Sequence, residues 1–422
     1  MTATRYRDRR GAERRSRRVV VTGIGLATPL GHDLPSFRRG LFGDGAPVER
    51  VRSRYASPVP GMRVAGDWQS ALTHAEQSRN DRSVQLAWLA GQRALQDAGW
   101  SADAQEEMDP LWSECAVLAG NSSGPVESLS QSHAQLHTTG RVPVTTLLRC
   151  MPSSPSASLA MRFGLRGAAQ TITSACASST IAIGEALRGI RHGYYEMALV
   201  GGTEAPFADG TLKAWEALRL LAPCGDDPAQ ACRPFDASRG GLVLGEAAVF
   251  FVLEEEASAL ARGAHIHAVI AGYSAGADAH QWTVPCAGGQ ARTMRRALQD
   301  AGLQAQDIGL INAYGTGTVI GDGVEAHSIA QVFGTRRDAP WVYSTKSLHG
   351  HALGASGALE LAAVIATLEH GCVPATRNLH DPDGLPLNLV YGAARPLGER
   401  RHALSNSFAF GGSNACLIVS AP

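Results

Sequence analysis

The chain has 422 residues, 38 basic against 38 acidic side chains, 18% charged and 44% hydrophobic content. A neutral, apolar-rich chain of this length can bury one large core or two smaller ones, and its charge balance gives no global case for nucleic acid. Eight cysteines without a CxxC pair argue against a disulfide framework or a zinc module and suit a reducing, cytoplasmic setting.

In chain order, positive charge comes first: residues 5–18 hold eight arginines against Asp8 and Glu13. Such a run repels itself and buries nothing, so residues 1–17 are expected to be a basic, disordered tail. No apolar run follows that would make a signal peptide. The longest uncharged runs, 167–184 and 402–422, hold too much Ser, Thr, Gly and Asn for a membrane span. A first strand is expected at 19–25. Its Gly23-Ile24-Gly25 imitates a dinucleotide-binding turn, but no third glycine or closing acidic residue follows, so a nicotinamide cofactor is not expected.

A helix expected at 83–98 ends in Arg93-Ala94-Leu95-Gln96-Asp97-Ala98-Gly99-Trp100. The same letters return, seven of eight identical, as Arg296-Ala297-Leu298-Gln299-Asp300-Ala301-Gly302-Leu303. Each copy has Gly just past the helix, then a polar spacer, then a strand entering a glycine-rich loop (116–124 and 310–318). Two consecutive matching elements point to duplicated halves. Further strands are expected at 197–200, 247–253, 268–272, 341–344 and 415–419, with helices at 178–192, 293–301, 324–333 and 358–369. Their alternation gives an α/β fold. The junction is expected at 254–265, dividing the chain into halves of 18–256 and 257–422 whose loops meet at one site.

Cys176 is the candidate nucleophile. It stands in Thr171-Ile172-Thr173-Ser174-Ala175-Cys176-Ala177-Ser178, where a β-branched run gives way to small residues and then to a helical pattern. A sharp strand-to-helix turn needs such small neighbours, and it presents the thiol at a helix N-terminus, where thiolate is expected to be favoured.

Four more segments are punctuated by glycine: Arg233-Pro234-Phe235-Asp236 through Gly245-Glu246; Asn312-Ala313-Tyr314-Gly315-Thr316-Gly317-Thr318 with Asp322 and Glu325; Ser344-Thr345-Lys346-Ser347-Leu348-His349-Gly350-His351; and Asn406-Ser407-Phe408-Ala409-Phe410-Gly411-Gly412. With these five motifs in order, the chain resembles the β-ketoacyl-acyl-carrier-protein synthases of the thiolase superfamily, over about residues 18–421. The likeness is to the elongating synthases of dissociated fatty-acid and type II polyketide systems. It implies a thiolase-like α/β fold of two duplicated halves in α-β-α-β-α layers, and a homodimer or a ketosynthase heterodimer. It implies no metal and no cofactor beyond the phosphopantetheine of an acyl carrier protein, which is the expected partner.

By that resemblance, Cys176 carries the acyl chain and the backbone N–H groups of Cys176 and Phe410 form the oxyanion hole. His351, rather than His349, serves malonyl decarboxylation, and Lys346 with Glu325 forms a supporting ion pair. Thr316 and Thr318 hold the pantetheine arm, Phe410 gates the acyl pocket, and the carrier docks on a positively charged rim. His349-x-His351 could pair on a metal, but no Cys or carboxylate accompanies it at usual spacing. The chain departs from the family where Tyr314 replaces a second catalytic histidine, where no aspartate follows Arg239, and where Ala409 replaces the glycine before Phe410. The expected activity is decarboxylative condensation of an acyl chain on Cys176 with malonyl carrier protein, with Tyr314 and His351 sharing the enolate oxygen. Two alternatives stand beside it: an acyl-loading enzyme that does not decarboxylate, and a non-catalytic partner subunit, against which the retained Cys176 argues.

Overall fold

The computed structural model describes residues 17–100, 109–335 and 338–422, with the backbone of 6–7 and 13–14. The expected tail over 1–17 lies almost wholly outside the described residues; within it Tyr6–Arg7 pairs antiparallel with Glu13–Arg14. Arg17 belongs to the folded body instead, because it pairs with Glu255 at 2.8 Å, as Arg18 does with Glu256 at 2.7 Å.

Eleven strands form one sheet. In chain order they are β1 Val19–Ala27, β2 Ala116–Gly120, β3 Ala169–Ile172, β4 Met197–Glu204, β5 Ala247–Glu255, β6 Ala268–Ala277, β7 Ile308–Asn312, β8 Trp341–Tyr343, β9 Asn388–Leu389, β10 His402–Ala409 and β11 Ser413–Ser420. Their spatial order is β9-β8-β7-β10-β11-β6-β1-β5-β4-β2-β3. Outward from the middle, one side runs β1-β5-β4-β2-β3 and the other β6-β11-β10-β7-β8. The directions match as well: β5 is antiparallel to β1 and β4, as β11 is to β6 and β10, while the outer pairs are parallel. The halves join where Ala268 and Val269 of β6 face Val21 and Val20 of β1. The duplication therefore covers five strands of each half, with β9 added in parallel outside β8.

The five longest helices among the described residues are α1 Arg82–Asp97, α2 Ser178–His192, α3 Ala287–Ala301, α4 Val319–Phe333 and α5 Ser356–His370. Helix α1 lies on β1 and β5, and α3 on β6 and β11; α2 and α5 touch each other and strands of both halves. Helix α5 is buried from Ser356 to Leu368, as a helix apolar on all faces must be. Among the described residues no helix is long and apolar enough to cross a membrane.

The repeated octapeptide has a physical purpose. Strand β1 bulges at Thr22, since Val21 and Gly23 face consecutive residues of β5, and β6 bulges at Ala271 in the same way. The next residue is glycine in both strands. A Cβ on Gly23 would collide with the Ala94 carbonyl oxygen and with Ala98. On Gly272 it would come within 2.7 Å of the Ala297 carbonyl oxygen and 2.8 Å of the Ala301 Cβ. One residue further, the Ile24 N–H donates to Asp97 and the Tyr273 N–H to Asp300, each at 2.9 Å. The two alanines of each repeat thus let helix and strand touch, and the aspartate satisfies the N–H that the bulge frees. Gly25 lies against the Ala90 carbonyl in the same seam, so the Gly23-x-Gly25 pattern serves packing.

Both aspartates also reach into the opposite half. Asp97 meets His267 Nε2 at 2.9 Å, and Asp300 pairs with Arg191 at the end of α2 at 2.8 Å.

Several elements exceed their expected bounds or escape the sequence pattern. Helices α3 and α4 begin earlier than 293 and 324, across Gly288 and Gly289 and across Gly321 and Gly323, because tertiary contact overrides weak helix propensity. Strand β10 was not expected. It reads His-Ala-Leu-Ser-Asn-Ser-Phe-Ala yet is buried from Ala403 onward, its polar residues facing protein partners instead of water. Helices Val126–Thr139, Ser154–Phe163 and Asp209–Leu218 were also unforeseen.

Gly23→Ala and Gly272→Ala should each destabilise the protein by about 1–3 kcal/mol through overpacking against backbone. Gly23→Ala should cost more, because its contact is closer. Urea midpoints at unchanged slope would check both the magnitude and the order.

Candidate active site

Cys176 lies between β3 and α2, where Ala175 takes a φ of 47°, a left-handed value that alanine holds only when its surroundings impose it. The surroundings do so. The Ala177 N–H donates to the Ser174 carbonyl and the Ser178 N–H to the Ala175 carbonyl, both at 3.2 Å. The Ser178 hydroxyl accepts from the Ser174 N–H at 2.9 Å and donates to the Ala175 carbonyl at 2.5 Å. Gly120 of β2 and Gly202 of β4 leave room for Ser179 to sit directly on the sheet. The elbow read from the sequence is present.

The thiol opens into a cavity of about 420 Å³ bordered by Tyr314, Thr316, Thr318, His351, Phe408 and Phe410. Trp215, Leu218, Trp282 and Ile320 add apolar wall, and Arg219 is the basic residue on its lining. Trp282 is 81% exposed and marks the rim. Phe410 packs against Trp215 with ring centroids 5.9 Å apart. Ala409 adopts φ −99° and ψ 163°, ordinary extended values, so its Cβ imposes no strain in the observed state.

Three side chains line up behind the sulfur. The Tyr314 hydroxyl lies 3.0 Å from His351 Nε2, the two rings edge to face at 89°, and it is near enough to Cys176 to favour the thiolate there. His351 Nδ1 lies 2.8 Å from the Ser356 hydroxyl at the start of α5. Cys176, Tyr314, His351 and Ser356 therefore form a continuous chain. Because Nε2 is engaged by the phenol, His351 reaches the sulfur through Tyr314, whereas the sequence placed the two residues side by side. His349 is not on the cavity; its Nδ1 is 2.7 Å from the Gly350 carbonyl.

Burial sets the protonation states. It holds His351 well below its ordinary pKa, aided by the Lys346 charge, so the ring is neutral. It raises the Tyr314 phenol well above its usual range, with the nearby Cys176 adding to the effect. It pushes the Cys176 thiol up to about 11. The expectation of a resting thiolate is thus corrected: desolvation outweighs both the Tyr314 hydrogen bond and the attraction of Lys346, and the resting group is the thiol.

The expected Lys346–Glu325 ion pair is also corrected. Lys346, fully buried, pairs with Glu360 of α5, donates to the Tyr314 carbonyl and lies 4.1 Å from the Tyr314 ring centroid. Glu325 accepts instead from the N–H groups of Tyr314 and Gly315, at 2.7 and 2.8 Å, and from Asn406 at 3.2 Å. One turn earlier on α4, Asp322 accepts from the N–H groups of Thr316, Gly317 and Phe235 at 3.0, 3.1 and 2.8 Å. The loop carrying Tyr314, Thr316 and Thr318 hangs from these two carboxylates. Burial raises Asp322 to about 6 and both Glu325 and Glu360 to about 7. The Thr316 and Thr318 hydroxyls are 2.9 Å apart.

Sequence reasoning missed Glu360 and Glu204 and gave Ser356 no role. Glu204 accepts from the Ser122 N–H and the Gly354 N–H at 2.8 and 3.0 Å, joining the loop after β2 to the His351 segment. A buried carboxylate leaves no spacing signature; its one signal here is a charged residue inside an otherwise apolar strand or helix. The segment ending in Gly245-Glu246 holds the histidine in place, because Gly245 and Val243 pair with the backbone of His351 at 2.9 and 2.7 Å.

Known proteins place this geometry. Residues 16–259 match the N-terminal domain of the β-ketoacyl synthases and residues 267–380 their C-terminal domain. The chain is 38% identical over 410 residues to nodulation protein E of Rhizobium sp. (strain N33), covering 95% of this chain and 98% of that protein. It is 35% identical to 3-oxoacyl-[acyl-carrier-protein] synthase 2 of Synechocystis sp. over 411 residues, 95% of this chain and 97% of the relative. Among solved structures, the ishigamide ketosynthase/chain length factor superposes with a TM-score of 0.87 at 31% identity, covering 97% of this chain and 100% of that one. A β-ketoacyl synthase from Burkholderia phymatum STM815 gives 0.87 at 32%, covering 96% and 100%. With the duplicated fold and the elbow cysteine, these matches place the chain in the β-ketoacyl synthase family of condensing acyltransferases.

Proposed function

We propose that the protein catalyses decarboxylative condensation of an acyl chain on Cys176 with malonyl-acyl carrier protein, with Tyr314 as the donor that touches the reacting atoms. The observation that carries this is the Tyr314 hydroxyl, 3.0 Å from a neutral His351 and lining the same cavity as the Cys176 thiol. In acyl loading, Cys176 passes its proton to the Tyr314 oxygen while the phenol proton moves to His351 Nε2. The sulfur attacks the thioester, and the departing pantetheine thiolate is protonated as the chain of bonds resets. Backbone N–H groups of Cys176 and Phe410 receive the oxyanion.

Once sulfur is acylated, the phenol is free for the malonyl group. Loss of CO₂ leaves an enolate whose oxygen accepts from the Tyr314 O–H, the phenol having turned from His351 Nε2. The enolate carbon attacks the acyl carbonyl, the carbon–sulfur bond breaks, and one proton taken up from solvent returns Cys176 to the thiol. Thr316 and Thr318 face the pantetheine arm, and Lys346 positions Tyr314 through its carbonyl and ring. No metal or cofactor beyond the carrier's phosphopantetheine is required by these steps. A solved relative, a type II PKS acyl-carrier protein in complex with its ketosynthase, matches at a TM-score of 0.84 and 26% identity, which supports a carrier protein as partner here, docked beside Arg219. A cytoplasmic location accords with this reading.

A non-decarboxylating enzyme is favoured by one observation, the bulk of Tyr314 against the thiol. Release of CO₂ from malonyl carrier protein decides between the two. Tyr314→Phe should lower it by about 10²–10³, as for loss of one oxyanion donor, and Tyr314→His should retain much of it. A silent Tyr314→Phe together with a faster Tyr314→His would establish the blocked reading.

The thiol should react as its burial dictates. Below a pKa of about 11 the thiolate fraction rises about tenfold per pH unit, so alkylation of Cys176 by iodoacetamide should climb steadily from pH 7 to 10. A plateau below pH 9 would reveal a thiolate already formed. The acyl adduct seen by intact mass should vanish in Cys176→Ala.

The edge strand β3 and the exposed Leu129, Leu136, Val144, Leu147, Leu148 and Met161 support a dimer, with itself or with a related subunit, through this side of the sheet. Val144→Asp with Leu147→Asp should shift the sedimentation coefficient toward one chain without changing the circular dichroism spectrum.

A further inference from the structure

Outside the Cys176 cavity, the segment before β6 brings two histidines against the last turn of α5. One ligand atom each from His265, His267 and Glu369 lies within 4.8 Å of the others. His267 Nδ1 is 3.0 Å from Glu369 Oε1, and its Nε2 is 2.9 Å from Asp97 Oδ2. The His265 and His267 rings stand edge to face, centroids 4.5 Å apart. His267 is buried, while His265 is exposed.

Two features go beyond a chance meeting of charges. Ligand atoms held at about 2.0–2.1 Å from a tetrahedral zinc ion lie about 3.3 Å from one another, so the His267–Glu369 separation needs little change and His265 closes the remainder by side-chain rotation. The outer carboxylate is also in place. Asp97 accepts from the other ring nitrogen of His267 and is itself fixed by the Ile24 N–H, the arrangement that holds a metal-bound imidazole in its neutral tautomer. Arg38 pairs with the second oxygen of Glu369, leaving Oε1 to the ion.

We infer that His265, His267 and Glu369 bind a divalent transition-metal ion, zinc by the imidazole and carboxylate chemistry of the donors, with water at the open position. The ion ties the start of β6 to the end of α5, and through Asp97 to the end of α1. Spacing along the chain could not reveal it, because the carboxylates come from residues 97 and 369. Arg38 opposes the ion electrostatically, so Arg38→Ala should tighten binding.

The test uses full-length protein, stripped with chelator and with its accessible thiols alkylated, dialysed against Zn²⁺ and separately titrated with Co²⁺ to follow its visible bands. One ion per chain is expected. His265→Ala, at an exposed position outside the catalytic machinery, should weaken binding at least about tenfold and leave condensation unchanged. Glu369→Gln should act in the same direction, and Asp97→Asn should cost about 10–100-fold, as for other outer partners of metal-bound histidines. If Asp97→Asn fails to fold, the other two variants decide. Absence of bound Zn²⁺ in the unmodified sequence, or equal binding by His265→Ala, would overturn the site.

Discussion

The molecule is organised by how closely two helices lie on their strands. At Gly23 against Ala94 and Ala98, and at Gly272 against Ala297 and Ala301, backbone meets backbone with no side chain larger than a methyl group between. Such contact is available only to glycine facing alanine, and it requires a bulge whose freed N–H finds an acceptor. Asp97 and Asp300 supply it. Once both helices are seated this way, α2 and α5 are left to fill the space between the halves, and their N-termini meet where Ser179 accepts from the Ala358 N–H at 3.0 Å.

The active site inherits its rigidity from that middle layer. Cys176 precedes α2, while Ser356, which holds His351, opens α5. The remaining loop, which carries Tyr314, has little apolar surface of its own and hangs from buried carboxylates instead. Burying Asp322, Glu325 and Glu204 is costly, and the cost is offset by aiming their oxygens at backbone N–H groups. Lys346 is tolerated at full burial because Glu360 meets its charge.

Legibility in the sequence followed distance along the chain. The octapeptide repeat exposed the duplication because its residues act within one helix and the adjoining strand. The elbow around Cys176 was legible for the same reason: small residues, a turn and a helix start are local demands. Motif order brought Tyr314, His351, Thr316, Thr318 and Phe410 to one cavity, where the structure places them. The Lys346 partner was not legible, since Glu325 and Glu360 are both acidic residues in helical patterns, and only tertiary packing decides which one the ammonium meets. The thiol's protonation state escaped for a related reason. A helix N-terminus can be read locally, whereas complete desolvation depends on residues from every part of the chain. Strand β10 escaped because its serines and asparagine are buried for the site's use, which inverts the usual pattern.

The crossed contacts of the repeated aspartates bear on how the chain comes apart. Asp97 of the first half holds His267 of the second, and Asp300 of the second holds Arg191 of the first, a reciprocal exchange of the kind that joins the subunits of a two-fold dimer. Separating the halves would strip each repeat of one partner and uncover α2 and α5 together. Loss of structure in one half would therefore remove the support of the other. A fused pair of this kind is expected to melt in a single cooperative step.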